Sequence, residues 1–299
     1  MNNRSVFPSR RGFTLMELMV AMTITILIVG VLMGITKSAL DTWNRSRAEL
    51  RASRQARAMI DALANDFESM VTRSSSTQEW LTALSQVPDS RSSNAAMLVF
   101  FTCATDRYEG QVGVAGEDDG GDICCVGYQL QWRDPIAPDA VDPNETFVLK
   151  RYLVDPKPTF AELLGKTDAA NRLDALYLAK YSAELDKSKY FVCENIFQFT
   201  TLFHVDVINA TGGVETKIVS ISSQTSGKRE FRIVGSDLVM DPADASLQNG
   251  VVTAVEVSLT VLTDAGINQL RENANLADDS KWLAKNSYHF ARLIQVPHE

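Results

Sequence analysis

The chain opens with a polar stretch and then turns apolar without interruption. From Phe13 to Thr36 there are 24 residues, and Glu17 is the only charged one. A helix of that length spans about 36 Å, enough to cross a bilayer core of about 30 Å. A secretory signal peptide has a shorter apolar core, about 7–15 residues, with a small-residue cleavage site behind it. A buried helix of a soluble protein is seldom apolar over so long a run. The pattern therefore predicts a membrane span over 13–36. No Pro or Gly breaks the chain between Thr36 and Thr72, and Leu40, Trp43, Leu50, Ile60, Leu63, Phe67 and Met70 recur. From Ile60 onward the spacing is three and four, which predicts an amphipathic helix over 37–72 that continues the span. Together they would make about 60 residues, or roughly 90 Å of helix.

Beyond residue 72 the periodicity changes. The serine-rich stretch 73–93 reads as a loop with one short turn around 80–84. Runs at 95–103, 126–133, 146–154, 190–208, 251–263 and 288–296 are rich in β-branched and aromatic residues. Alternation at period two marks half-buried antiparallel strands. It places Phe197, Phe199, Phe203 and Val205 on one face, and Val255, Val257, Leu259 and Val261 on another. Arg151 interrupts the apolar face of 146–154. Helical periodicity is weaker, near 159–182 and 264–275. The expected fold class is α+β: a long N-terminal helix, membrane-spanning in its first half, packed against an antiparallel β-sheet head over 73–299.

Composition changes this picture little. The chain has 299 residues, 45% apolar and 22% charged, which is ordinary for a protein with a packed core. A net charge of −8 argues against a nucleic-acid partner. Charge orients the span only weakly. Arg10 and Arg11 abut its start, whereas Lys37 at its end is offset by Asp41, which favours the N-terminus inside. Arg45, Arg47, Arg51, Arg54 and Arg57 crowd the helix beyond the span. They form either a solvated face that also meets anionic headgroups or a surface for pairing between subunits. Gly30 and Gly34 form a G-x-x-x-G pair, a close-packing motif or simply tolerated glycine.

The stretch Arg10-Arg11-Gly12, then Phe13-Thr14-Leu15-Met16-Glu17, resembles the prepilin signal of type IV pilins and type II secretion pseudopilins. A basic leader ends in glycine, an aromatic residue follows, an acid stands fifth after the glycine, and an apolar helix runs on. The resemblance implies a leader over 1–12, cut after Gly12 by a prepilin peptidase, and N-methylation of Phe13. It implies assembly with other pilin-like subunits on an inner-membrane platform, with the N-terminus cytoplasmic and the head periplasmic. It also gives Glu17 a role: its carboxylate would meet the new amino terminus of a neighbouring subunit and set the axial register. An acid inside a span is costly and needs a partner. The large head looks more like the J-type minor pseudopilins or W-type minor pilins thought to sit at a filament tip.

Four cysteines, Cys103, Cys124, Cys125 and Cys193, form a candidate disulfide set. Cys103 with one of the adjacent pair would make a hairpin staple and Cys193 could take the other; buried free thiols are the alternative. No C-x-x-C spacing or nearby histidine suggests zinc. Several pseudopilins bind calcium, and Glu117, Asp118, Asp119 and Asp122 on a glycine-rich loop suit a hard cation, but their spacing does not match an EF-hand loop and a solvated hairpin tip is the favoured reading. No other cofactor is expected. The three histidines, His204, His289 and His298, join no recognisable nucleophile or phosphate motif, so no catalytic residue is assigned and the chain is not expected to be an enzyme. The rival readings are a membrane-anchored periplasmic enzyme or sensor with a pilin-like start, and an adhesion or DNA-uptake minor pilin. Loss of the leader's Arg4, Arg10 and Arg11 would take the chain from −8 to −11, which disfavours direct DNA binding.

Overall fold

In the computed structural model the described residues are 14–72, 77–86, 89, 91–92, 94–103, 122–136, 144–167, 171–209, 212–222, 227–247 and 249–297. The long helix α1 runs from Leu15 to Glu68 without a break. Two compact units divide at its middle, Met1–Glu49 and Leu50–Glu299, so the second half of α1 folds as part of the head. In the first unit the whole apolar window of α1 is solvent-exposed, and its length and composition suffice to cross a membrane.

Among the described residues the head contains eleven strands in two antiparallel sheets. Sheet A has the order β5-β4-β3-β2-β1-β8-β9, from β1 (Glu79–Ser85), β2 (Ala96–Thr102), β3 (Cys124–Arg133), β4 (Thr146–Val154), β5 (Phe191–Glu194), β8 (Glu230–Val234) and β9 (Asp237–Asp241). Sheet B has the order β11-β10-β6-β7, from β6 (Ile196–Ile208), β7 (Val214–Ser220), β10 (Val251–Leu262) and β11 (Ser287–Gln295). One turn, α2 (Pro156–Pro158), runs into a π-helical turn at Thr159–Leu163. The remaining helices are α3 (Leu173–Leu185), α4 (Asp264–Glu272) and α5 (Ser280–Asn286). The α+β class expected from the pattern is the class observed.

Sheet A is covered on both faces, which explains why β2 is buried at all seven positions. One face receives α1: Ala56, Met59, Leu63 and Phe67 are fully buried, and the Phe67 ring stacks on Phe100 with centroids 4.4 Å apart. The other face receives α3. There Gly127 leaves room for the Tyr177 ring, which a Cβ would meet at 2.4 Å. The Tyr177 hydroxyl donates to the Tyr152 carbonyl at 2.9 Å. Sheet B buries one face, with Phe197, Phe199, Phe203, Val255, Val257 and Leu259 all at 0% exposure, as the alternation predicts. Phe203 stacks on Phe231 of β8, which joins the two sheets.

Three expectations need correction. The stretch read as a loop around 80–84 is β1, the strand between β2 and β8. The run 190–208 is two strands in different sheets: β5 pairs with β4 and β6 with β10. The switch is Asn195, held at φ 62°, a conformation Asn tolerates better than most residues. Its side chain accepts from the Thr146 hydroxyl at 2.7 Å and donates to Asp264 at 2.8 Å. Finally, Leu40, Trp43 and Leu50 share no core: they are 56%, 63% and 56% exposed, and the buried helical face begins at Ala52.

Candidate assembly site at the start of the first helix

Gly12 and Phe13, with the leader's Arg10 and Arg11, lie outside the described residues. Description begins at Thr14, and Thr14 changes the reading of Glu17. The backbone N–H of Thr14 donates to Glu17 Oε2 at 2.9 Å, and its hydroxyl donates to the same oxygen at 3.1 Å. In return the Glu17 N–H donates to Thr14 Oγ1 at 3.2 Å. This is a capping box, in which Ser or Thr at the N-cap and Glu three residues on satisfy helix-end donors reciprocally. The acid therefore has a partner within its own chain, at the end of the helix where the dipole favours negative charge. Further along, the hydroxyls of Thr23, Thr25 and Thr36 donate to the carbonyls of Met19, Ala21 and Leu32 at 2.6, 2.8 and 2.8 Å. Polar groups bonded inside the helix carry little cost in lipid. A Cβ at Gly30 or Gly34 would meet nothing within 4 Å, so neither glycine answers to crowding within this chain.

The charged half of α1 finds partners in the head. Arg51 bonds Glu194 at 2.5 Å and Asp264 at 3.3 Å. Arg51 is thus paired within the chain, although its side chain remains 57% exposed. Asp61 meets Arg292 at 2.6 Å. Asp66 is buried, and the Arg151 guanidinium grips it with two bonds, Nη2 to Oδ1 at 2.6 Å and Nε to Oδ2 at 2.7 Å. The Tyr128 hydroxyl donates to Oδ2 at 2.5 Å. Burial, then the Asp66 charge, push the Tyr128 hydroxyl well above its ordinary range, so it remains a donor. These three residues fix α1 on β3 and β4. Sequence reading singled out Arg151 as an interruption, and the signal for its partner was an acid between Leu63 and Phe67 on the buried helical face.

The cysteines are free thiols in the structure. Cys124 and Cys125 stand opposite Thr102 and Phe101, next to Cys103. Cys193 stands opposite Leu149 on β5, with β4 between it and β3. Strands two apart are separated by about 9.6 Å, and a disulfide needs Cα atoms within about 7 Å. Cys193 therefore cannot bridge to Cys124 or Cys125. Burial raises the Cys125 thiol well above its usual value and pushes Cys193 up to about 12. Burial and the Asp122 charge raise exposed Cys103 more modestly.

Of the calcium candidates, Glu117, Asp118 and Asp119 lie outside the described residues, as does His298; only Asp122 is placed. Among the described residues no three His, Cys, Asp or Glu side chains are gathered to hold a metal. His204 lies 3.6 Å from Glu256, and His289 lies 3.3 Å from the Ser258 hydroxyl, on separate strands of sheet B. No protein-family model, no curated protein and no solved structure matches the chain.

Proposed function

We propose that this chain is a minor pilin-like subunit, or pseudopilin, that is cut after Gly12, N-methylated on Phe13 and drawn from the membrane into a type II secretion or type IV pilus-like filament, at or near its tip. The observation that carries this reading is Glu17: the one carboxylate of the apolar run 13–36, presented at the N-terminus of α1 and five residues after Gly12 in the sequence. Cleavage there would create an ammonium group on each mature subunit. When one helix docks beside another, the Glu17 carboxylate of one faces the ammonium of the next. In a medium of low dielectric that pairing is far better than either charge alone. Axial mismatch separates the charges, so the pair selects one register. The head contributes recognition, meeting other minor subunits or exported substrate, and the work is mechanical with no covalent chemistry. The test is Glu17→Ala with cysteine crosslinking between neighbouring subunits in cells that express the whole machine. Insertion and cleavage persist and the crosslinks disappear. Crosslinks at the parental level would remove this role from Glu17.

A further inference from the structure

Beyond α1, seven large apolar residues among the described residues of the head are exposed, and four of them fall in one place: Ile208, Val214, Ile218 and Val251, at 77%, 69%, 61% and 45%. Register puts them together. Ile208 faces Val214 and His204 faces Ile218 across β6 and β7, while Val251 faces Asp206 across β10 and β6. By strand alternation all four share the face of sheet B that points away from the core. Exposed apolar residues gathered on one sheet face, here around Asp206 and Thr216, mark a candidate interaction surface.

Among the described residues the patch borders a backbone edge with no further strand paired to it. β7 is the last strand of sheet B. At its ends, Asn209 N–H donates to the Gly213 carbonyl and Ile221 N–H donates to the Thr201 carbonyl. In an antiparallel ladder hydrogen-bonded pairs alternate, so Glu215, Lys217 and Val219 turn their peptide groups toward β6. Val214, Thr216 and Ile218 turn theirs outward. Outward-facing Ser220 already uses its carbonyl, accepting from Lys228 N–H at 2.8 Å. Four consecutive residues, Lys217 to Ser220, line a groove together with Lys228 and Asp244.

The other edges differ. β5 and β9 have four and five residues. β11 carries one exposed large apolar side chain, Leu293, and its Arg292 is engaged by Asp61 and Glu68. The β7 edge lacks the usual protection of a proline, a bulge or an outward lysine; Lys217 bends to the Ser246 carbonyl at 3.4 Å.

We propose that the β7 edge accepts an extended strand from a partner polypeptide, one that alternates β-branched and basic residues. The row of outward amides and carbonyls, repeating every about 7 Å, matches only another extended backbone. The four exposed side chains are all β-branched, the type that packs across paired strands. On the other face of β7 Glu215 is exposed, so basic residues alternating with the β-branched ones find an acid there. This surface is independent of the filament reading and holds whichever machine uses the chain.

The test uses the full-length protein in detergent and a fluorescent peptide of alternating valine and lysine, read by anisotropy. Thr216→Pro removes an outward N–H and leaves the ladder to β6 intact. It should weaken binding by about tenfold or more, with an unchanged circular dichroism spectrum. Ile218→Lys, which needs no backbone change, should weaken it likewise through lost apolar contact and like charge. A peptide with alternate amides N-methylated should bind as poorly to the parent as the plain peptide does to Thr216→Pro. Equal binding by parent and both variants overturns the proposal. So does equal binding of plain and N-methylated peptides, failure of the parent to bind the plain peptide at all, or a dimer of the parent that Thr216→Pro dissolves.

Discussion

Replacing Arg151 by Met should unfold the head more readily than any substitution of a surface charge. Arg151 and Asp66 are 3% and 1% exposed at their side chains and share two short bonds. Removing the guanidinium leaves a carboxylate in the helix–sheet interface with the Tyr128 hydroxyl as its one remaining donor of the three bonds described above. Breaking one side of a buried ion pair costs about 3–5 kcal/mol. For a head of this size each kcal/mol moves the midpoint by about 2–4 °C, so the expected fall is about 6–20 °C. Thermal unfolding of the full-length protein in detergent, followed by far-ultraviolet circular dichroism, measures it directly. Asp66→Leu combined with Arg151→Met removes both charges and should recover most of the loss, since apolar replacements of buried pairs are often neutral or better. If Arg151→Met costs less than about 1 kcal/mol, or the double variant is no better than the single, the clamp does not hold α1 on the sheet as described.

Other substitutions should separate buried from exposed chemistry. Arg51→Ala should cost about 1 kcal/mol or less by the same melts, because its side chain is 57% exposed although it touches two acids. Gly127→Ala should destabilise by about 1–3 kcal/mol by driving a methyl group into the Tyr177 ring, and Tyr177→Leu in the same chain should relieve part of that. Iodoacetamide at mild alkaline pH should label Cys103 in the native protein and reach Cys124, Cys125 and Cys193 only after denaturation, as peptide mapping would report. Because burial raises Cys193 from 9.0 to about 12, the unfolded chain ionises first as pH rises. Its contribution to stability is therefore intact below about pH 9 and is lost toward pH 12, and Cys193→Ala should flatten that part of the stability curve.

Legibility in the sequence followed how each segment is buried. The first helix showed itself through unbroken apolarity, then through three-and-four spacing at Ile60, Leu63 and Phe67. Strands half-buried on one side, β6 and β10, alternate and were readable from Phe197 to Val205 and from Val255 to Val261. β1 was not readable, because it is buried on both faces and carries Glu79 there. That acid is held by Thr82 of the same strand and, from distant parts of the chain, by the Leu173 N–H at 3.2 Å and by Arg232 at 3.5 Å. β7 failed the opposite test: it is an edge with little buried, so Val214 to Ser220 shows no core face. β8 and β9 are short and rich in charge. The division of 190–208 turned on the single residue Asn195, whose positive φ leaves no periodic trace. At the candidate assembly site the acid is evident from its isolation within the apolar run. Its bonds to Thr14 are spelled by T-x-x-E, the capping-box spacing, three residues upstream of the acid.

The central claim is that the chain is trimmed at the Gly12–Phe13 bond and that Glu17 then answers a new amino terminus. Intact-mass and terminal-peptide spectrometry of the protein purified from membranes tests it most directly. The account predicts a chain that starts at Phe13 and carries one methyl group on its amine, and an uncut chain in the Gly12→Ala variant. A parental protein that starts at Met1, with no methyl group, contradicts it.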